Sequence, residues 1–392
     1  MIGRIGNARL IILTTTAMAG GTAVPAADWS ETLEAAANAA YVTNPQLQPG
    51  SNVADKSALL GVDGSVSAQT ERGQLSLTPR FSIIRYQQLT GLNTETGSID
   101  ITYLEKLERG QWTFTAQALT DSTVTSELGL TGITNVNRRH DAGTASLGYQ
   151  YLSSERLSWQ LQGAWQVTRY SDAARFGLTD YDYGSVQFGP TWSFSERLQG
   201  SLNIEADRIN PKGGATENDY SVSMQLKRSL SERYAWRASI GATRVDSGST
   251  GSATSSVFEL GATRQGERAQ WDVSVKRAVL PVGLGLLARE DQATATIVVG
   301  TSERSTLNLS VSAIRSDPVS LSIYLNPYIS LRYLVYSGAS WGQASAEWKY
   351  NFSPHWSIST AYVQARARSG NLQEWANGNQ ARLAMLWQSG RL

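Results

Sequence analysis

The sequence predicts an all-β protein: a transmembrane, antiparallel, up-and-down β-barrel of about 18 strands. Three observations predict it. Apolar and polar residues alternate with a period of two in segment after segment. Short charged turns alternate with longer polar stretches along the chain. Tryptophan recurs three positions beyond the arginine of four of the turns, a fixed spacing that ordinary core packing does not need.

The first 26 residues read as a signal peptide, followed by the barrel over residues 27–392. Arg4 and Arg9 supply the basic region, Leu10 to Leu13 open a modest apolar core, and Val24-Pro25-Ala26 offers small residues for cleavage. Export is compatible with a chain that has no cysteine, and its absence rules out disulfides and thiolate metal sites. The net charge of +1 implies no bulk attraction to nucleic acid, and no nucleic-acid partner is expected. Mean hydropathy is −0.27. No apolar run approaches the ~18 residues of a membrane helix. The 12 Trp and 16 Tyr against 7 Phe favour aromatics with a polar edge, as expected where rings sit at a membrane–water boundary.

The strands follow from the alternation. Ala58, Leu60, Val62, Val66 and Ala68 share one face, opposed by Ser57, Asp63, Ser65, Ser67 and Gln69. After Glu71-Arg72-Gly73 the pattern restarts with Leu75, Leu77, Phe81 and Ile83. Farther on, Val186, Phe188, Trp192 and Phe194 alternate with Ser185, Gln187, Gly189, Thr191 and Ser193, and Leu198, Leu202, Ile204 and Ala206 resume beyond Ser195-Glu196-Arg197. Short turns fall near residues 72, 109, 155, 196, 232, 267, 303 and 354. Longer stretches fall near 42–56, 88–97, 121–140, 171–182, 210–219, 247–255, 280–290, 317–338 and 369–378, so most strands are expected to run about 10–14 residues. A propeller would place four short strands in each repeat, and a sandwich would not run so many long strands in strict up-and-down order.

The turns carry a repeated tripeptide, Ser-Glu-Arg, at residues 154–156, 195–197, 231–233 and 302–304, with Gly266-Glu267-Arg268 as a near copy. Trp112, Trp159, Trp236 and Trp271 each follow a turn arginine by three positions, and Trp192 and Trp356 flank turns as well. These six are expected to form a periplasmic aromatic girdle, with the indole N–H at the wet boundary and the ring in hydrocarbon. Tyr183, Tyr220 and Phe258 are expected to form a looser outer girdle. The last strand places Leu383, Met385 and Trp387 outward, and the chain continues from Gln388 to Leu392 beyond its final aromatic.

The opposite face of the strands predicts a wet lumen. Asp100, Glu205, Asp207, Glu259, Asp272 and Glu347 fall on it, as do Arg80, Lys227, Arg237, Lys276 and Arg382. Charges of both signs would cost several kcal/mol each in a dry core but little in a water-filled channel, and about 18 strands enclose such a passage. Arg138 and Arg139 in the 121–140 stretch and Arg332 in the 317–338 stretch are the candidates for a constriction. The apolar run from Leu321 to Tyr336 is too apolar for a free loop; it folds into the lumen, extends the strands or rests on the outer leaflet.

Catalytic signals are sparse. His140 and His355 are the only histidines and belong to opposite ends of the barrel. His140, beside Arg138, Arg139 and Asp141, is the one conceivable general base, set against a solvated charged loop. No zinc spacing exists, Gly283-Leu284-Gly285 lacks a following helix, and Glu205 and Asp207 fit a wet wall better than a glycosidase pair. No cofactor is expected.

Several segments resemble a known family. "YVTNPQLQPG" (Tyr41 to Gly50), "LTPRFSIIRY" (Leu77 to Tyr86), "ALTDSTVTSELGLTG" (Ala118 to Gly132) and the Ser-Glu-Arg turns are similar to the type 2 β-barrel porins, including outer-membrane proteins found with exopolysaccharide and exosortase systems. The resemblance spans nearly the whole mature chain. It implies a bacterial outer-membrane barrel linked to polysaccharide export or surface biogenesis, with polysaccharide-export components or a saccharide among its partners. Outer-membrane lipid and the barrel-assembly machinery are the further partners expected. The expected function is a non-enzymatic, porin-like barrel with a water-filled or loop-gated pore. The alternatives are a non-conducting scaffold of a polysaccharide-secretion complex and an outer-membrane hydrolase working through His140.

Overall fold

The computed structural model describes residues 27–124, 137–173, 178–247, 251–319, 338–369 and 374–389. The signal-peptide reading, Arg332 and nearly all of the 317–338 stretch lie outside them. Eighteen strands run in chain order. The first six are β1 (Asp28–Thr43), β2 (Ala54–Gln69), β3 (Gly73–Tyr86), β4 (Thr94–Leu107), β5 (Gly110–Ser122) and β6 (Arg139–Ser154). The next six are β7 (Leu157–Tyr170), β8 (Tyr181–Ser195), β9 (Leu198–Pro211), β10 (Glu217–Ser229), β11 (Tyr234–Ser247) and β12 (Gly251–Gln265). The last six are β13 (Ala269–Val282), β14 (Leu286–Ser302), β15 (Ser305–Pro318), β16 (Ala339–Asn351), β17 (Trp356–Ser369) and β18 (Ala376–Gln388).

Each strand pairs antiparallel with its chain neighbours, and β1 pairs with both β2 and β18. The sheet is therefore a closed barrel, as spanning hydrocarbon requires; only β12 and β13 part at one end, pairing from Phe258–Arg277 to Gln265–Gln270 and no farther. Register fixes the faces. In β11, Trp236, Ala238, Ile240, Ala242 and Arg244 point outward, while Arg237, Ser239, Thr243 and Val245 point inward. Ile240 is 71% exposed, and Leu60, Met224, Leu260 and Val311 are exposed on other strands too. An apolar band around the whole outside of a closed barrel is a surface solvated by hydrocarbon, not water.

The strands are longer than the alternation implied: β1, β2 and β6 have 16 residues and β14 has 17. The expected connections at 247–255 and 280–290 shrink accordingly, because Ser252, Thr254, Arg289 and Glu290 continue the ladder despite their polarity. All eight short turns lie at one end of the barrel. Their Ser-Glu-Arg signature has a local cause. The serine Oγ accepts the arginine N–H at 3.3 Å in residues 154–156, 195–197 and 302–304, and at 3.2 Å in 231–233. The arginine carbonyl then accepts a backbone N–H from the next hairpin: Ser193 to Arg156, Ser229 to Arg197, Gln265 to Arg233 and Asn351 to Arg304. The motif caps its own turn and stitches it to its neighbour.

Trp112, Trp159, Trp236 and Trp271 are each the third residue of their strands and all lie on the outer face. Trp192 and Trp356 join them at the same end. Proline marks two of the lapses in the ladder. Gly189 and Pro190 are skipped between the Phe188–Ile204 and Thr191–Ser201 pairs, and Thr78 and Pro79 are skipped between Asp63–Arg80 and Val66–Leu77. At Gly189 a Cβ would collide with the Leu202 carbonyl oxygen. Gly189→Ala is therefore expected to cost about 1–3 kcal/mol in chemical unfolding of the refolded barrel; an unchanged midpoint would refute the close approach.

Candidate functional site: the lumen and its outer mouth

The inner face carries the charges that the alternation assigned to it. Arg80, Asp100, Glu205, Asp207, Lys227, Arg237, Glu259, Asp272, Lys276, Glu347 and Arg382 all lie on the inward register of their strands. The structure brings several together. Arg80 Nη1 is 2.5 Å from Asp100 Oδ2, and the Gln117 amide donates to Asp100 Oδ1 at 2.6 Å. Arg237 bonds Glu259 and reaches Asp272 Oδ2 at 3.5 Å. Arg382 Nη2 meets Glu347 Oε1 at 3.0 Å. Between the ions the wall is neutral and polar, with paired hydroxyls at Thr115–Ser146, Ser274–Thr294 and Ser310–Ser345. A recess of about 320 Å³ is lined by amides and hydroxyls, among them Gln111, Gln150, Gln160, Gln162, Thr113 and Ser146.

The constriction candidates fare differently. Arg139 shares the outward register with Leu147, and its Nε donates to Asp141 Oδ1 at 2.9 Å. It stands outside the barrel, because β6 begins earlier than the polarity of residues 138–141 implied. Arg138 lies just before β6, where its N–H donates to Thr123 Oγ1 and its carbonyl accepts from Thr123 N–H. Tyr183 is also relocated. It faces the lumen beside Asp207 rather than joining an outer girdle, whereas Tyr220 and Phe258 do face outward.

The outer mouth is narrowed by elements whose sequence gave no such signal. Tyr170, Leu178, Tyr181, Ile209, Val245 and Leu287 form a buried apolar hub. Ile209 and Val245 belong to the inward registers of β9 and β11, so this hub sits inside the wall. Two segments reach it. Residues 178–180, before β8, fold inward: the Thr179 N–H donates to Gly283 O at 2.9 Å and Asp180 O accepts from Lys212 N–H at 2.8 Å. The tip of the β13–β14 hairpin folds in from the other side, and the Leu287 N–H donates to Glu217 Oε2 at 2.9 Å. β14 and β10 are not sheet neighbours, so that bond crosses the interior as a chord. Gly285, at φ +74°, permits the turn; a Cβ there would sit 2.8 Å from Thr179 and 2.9 Å from Pro211.

A smaller inward fold lies at the β1–β2 connection. Leu47, at φ +47°, packs on Ala367 and Ala376 with Trp341 beside them. Asn44 fixes this turn by donating to Gln48 O and to Asn377 O, both at 2.9 Å. A Cβ at Gly378 would be 2.8 Å from Leu47, so glycine makes the seat for this side chain.

His140 opens β6 on the inward face rather than lying in a loop. Its Nδ1 is 2.8 Å from Asp121 Oδ1, and its ring stacks on Tyr170 with centroids 5.0 Å apart. The ring is packed out of reach of solvent behind Tyr170, with His140 7% exposed. A base must reach its substrate, so this pair reads as a structural tie between β5, β6 and β7. Among the described residues, no group of three or more His, Asp or Glu side chains is arranged to hold a metal ion.

No protein-family model and no curated protein matches the chain. Among solved structures it is similar to Pseudomonas aeruginosa OpdL, at 12% identity and TM-score 0.44, covering 93% of this chain and 99% of that one. Pseudomonas aeruginosa OpdQ shows 9% identity and TM-score 0.49, with 93% and 98% covered. Pseudomonas aeruginosa OprD shows 9% identity and TM-score 0.43, with 92% and 95% covered.

Proposed function

We propose that the chain is an outer-membrane diffusion channel whose lumen is narrowed at the outer mouth by the inward-folded β13–β14 hairpin. The observation that supports this most is the division of one closed sheet into two solvents. The outer register is an apolar band ringed by tryptophan, and the inner register is polar, charged and hydroxyl-rich. A membrane barrel with a packed interior would have no use for Lys227, Lys276 and Glu205 on its inner wall.

For cargo, we propose a neutral, hydroxyl-rich solute of the saccharide class, with the exopolysaccharide link implied by the sequence resemblance. The recess lined by Gln111, Gln150, Gln160 and Gln162 supports this, since amides donate to and accept from sugar hydroxyls. The inward tyrosines Tyr170 and Tyr181 are buried in the hub and offer no stacking track. The purified, folded protein is expected to conduct ions in planar bilayers and to let small oligosaccharides equilibrate into vesicles. A correctly folded barrel that never conducts, even after the hairpin is released, would leave the scaffold reading in its place. Swelling by amino acids but not by sugars would overturn the cargo and leave the channel standing.

A further inference from the structure

A second repeat lies on the outside of the barrel, at the end opposite the tryptophans. Arg208, Arg244, Arg315 and Arg366 are each the eleventh residue of β9, β11, β15 and β17, and Arg85 and Arg169 are the thirteenth of β3 and β7. All six share the outward register with apolar residues below them, such as Ile204 below Arg208, Ile240 below Arg244 and Val311 below Arg315. From the tryptophan ring to this level is eight to ten strand steps. At about 3.3 Å per residue and a tilt near 40°, that is roughly 20–25 Å, the height of the apolar band of such barrels. The arginines therefore begin where the hydrocarbon ends.

Three of the side chains share one pose. Arg208 Nε donates to Asn210 Oδ1 at 3.1 Å, Arg244 Nε to Asp246 Oδ1 at 3.0 Å and Arg315 Nε to Asp317 Oδ2 at 3.0 Å. Each partner stands two residues on, in the same strand, and occupies the Nε–H of the guanidinium. The terminal nitrogens of Arg208 and Arg315 bond no other described residue. Arg244 and Arg315 are 61% and 66% exposed. Arg366 places its Cζ over Trp375, 4.8 Å from the ring centroid. Arg244 spends one terminal bond on Ser252 Oγ at 3.3 Å, and Arg85 and Arg169 hold Glu95 and Asp182. A planar fork with unspent terminal N–H groups, as at Arg208 and Arg315, matches a tetrahedral oxyanion, where a lysine would offer only a point charge.

We infer that this arginine belt binds the phosphate groups of anionic glycolipid in the outer leaflet, so that the barrel carries a ring of phosphorylated lipid around its outer rim. The inference rests on the membrane-spanning reading. It goes beyond it by assigning a headgroup chemistry to one level of the outer wall. A ring of plain surface ion pairs would explain the acids but neither the fixed strand position nor the unspent terminal N–H groups of Arg208 and Arg315.

The test uses the full barrel refolded in detergent, as wild type and with Arg208, Arg244, Arg315 and Arg366 all replaced by Gln. Each is titrated with bisphosphorylated lipid A, with the same lipid dephosphorylated, and with inorganic phosphate, and bound lipid is counted by native mass spectrometry. Wild type is expected to retain the phosphorylated lipid and to prefer it over the dephosphorylated form. The variant is expected to lose affinity by about five-fold for each arginine, the effect of one basic residue near an anionic lipid surface. Equal binding of both lipids by wild type, undiminished binding by the variant, or equal displacement by free phosphate would overturn the belt. Insertion of the same samples into neutral phosphatidylcholine vesicles separates the two failures. Barrels that insert but show no phosphate preference defeat the belt alone; barrels that do not insert defeat the membrane reading. Should the quadruple variant not refold, the wild-type comparison of the two lipids and the single Arg315→Gln variant decide the same question.

Discussion

Glu217→Ala is expected to open the outer mouth. In the closed arrangement the Glu217 carboxylate accepts the Leu287 N–H at 2.9 Å, and both residues are buried. No water replaces the carboxylate easily there, so its loss leaves the N–H unsatisfied and removes about 1.5–3 kcal/mol from the inward-folded state. The ratio of open to closed hairpin should rise by about ten- to a hundred-fold, since each 1.4 kcal/mol is a factor of ten. Single-channel recordings should show longer or larger openings than wild type. Gly285→Val should act in the same direction by another route, because a side chain there collides with Thr179 and Pro211 across the seam. Conductance histograms identical to wild type in both variants would mean that the hairpin does not limit flow. The hub formed by Leu178, Ile209, Val245 and Leu287 would then be only a brace for the barrel rim.

The second large effect concerns which face meets lipid. Ile240 is the seventh of the 14 residues of β11, at mid-height, and it points outward. Ile240→Arg is expected to destabilise the barrel by about 2–4 kcal/mol, the cost of a guanidinium at the bilayer midplane. Ser239→Arg, one position away, turns its side chain into the lumen opposite Glu259 and should cost little. Urea unfolding of the two variants refolded in vesicles compares them directly. Equal losses would contradict the assignment of inner and outer faces, since a one-residue change of register exchanges them throughout the strand.

Much of this is legible in the sequence alone. Alternation over Leu75, Leu77 and Phe81 against Ser76, Thr78 and Arg80 states two solvents and a period of two, and that pattern requires nothing from the rest of the chain. The short turns were equally plain, because Ser154, Ser195, Ser231 and Ser302 act on an N–H two residues away. Features that depend on strand ends are not legible in the same way. Arg139 and His140 looked like loop because four polar residues in a row hide a strand whose outward member sits above the hydrocarbon. Tyr183 turns inward because β8 begins at Tyr181, so Tyr183 lies within the strand on the face of Ser185 and Gln187. The Arg-x-Asp and Arg-x-Asn steps at residues 244–246, 315–317 and 208–210 were visible as letters, but their common height emerges only once the strands are aligned.

The sequence by itself determined the barrel, its strand number and the polarity of its two faces. Those follow from interactions between each residue and its solvent, repeated along the strand. Only the tertiary structure decided what fills the mouth. Glu217 and Leu287 are 70 residues apart, and Leu47 meets Gly378 across the closing seam of the sheet. Such contacts depend on which strands face each other across the lumen, and that is set by closure of the whole sheet rather than by any local run of residues.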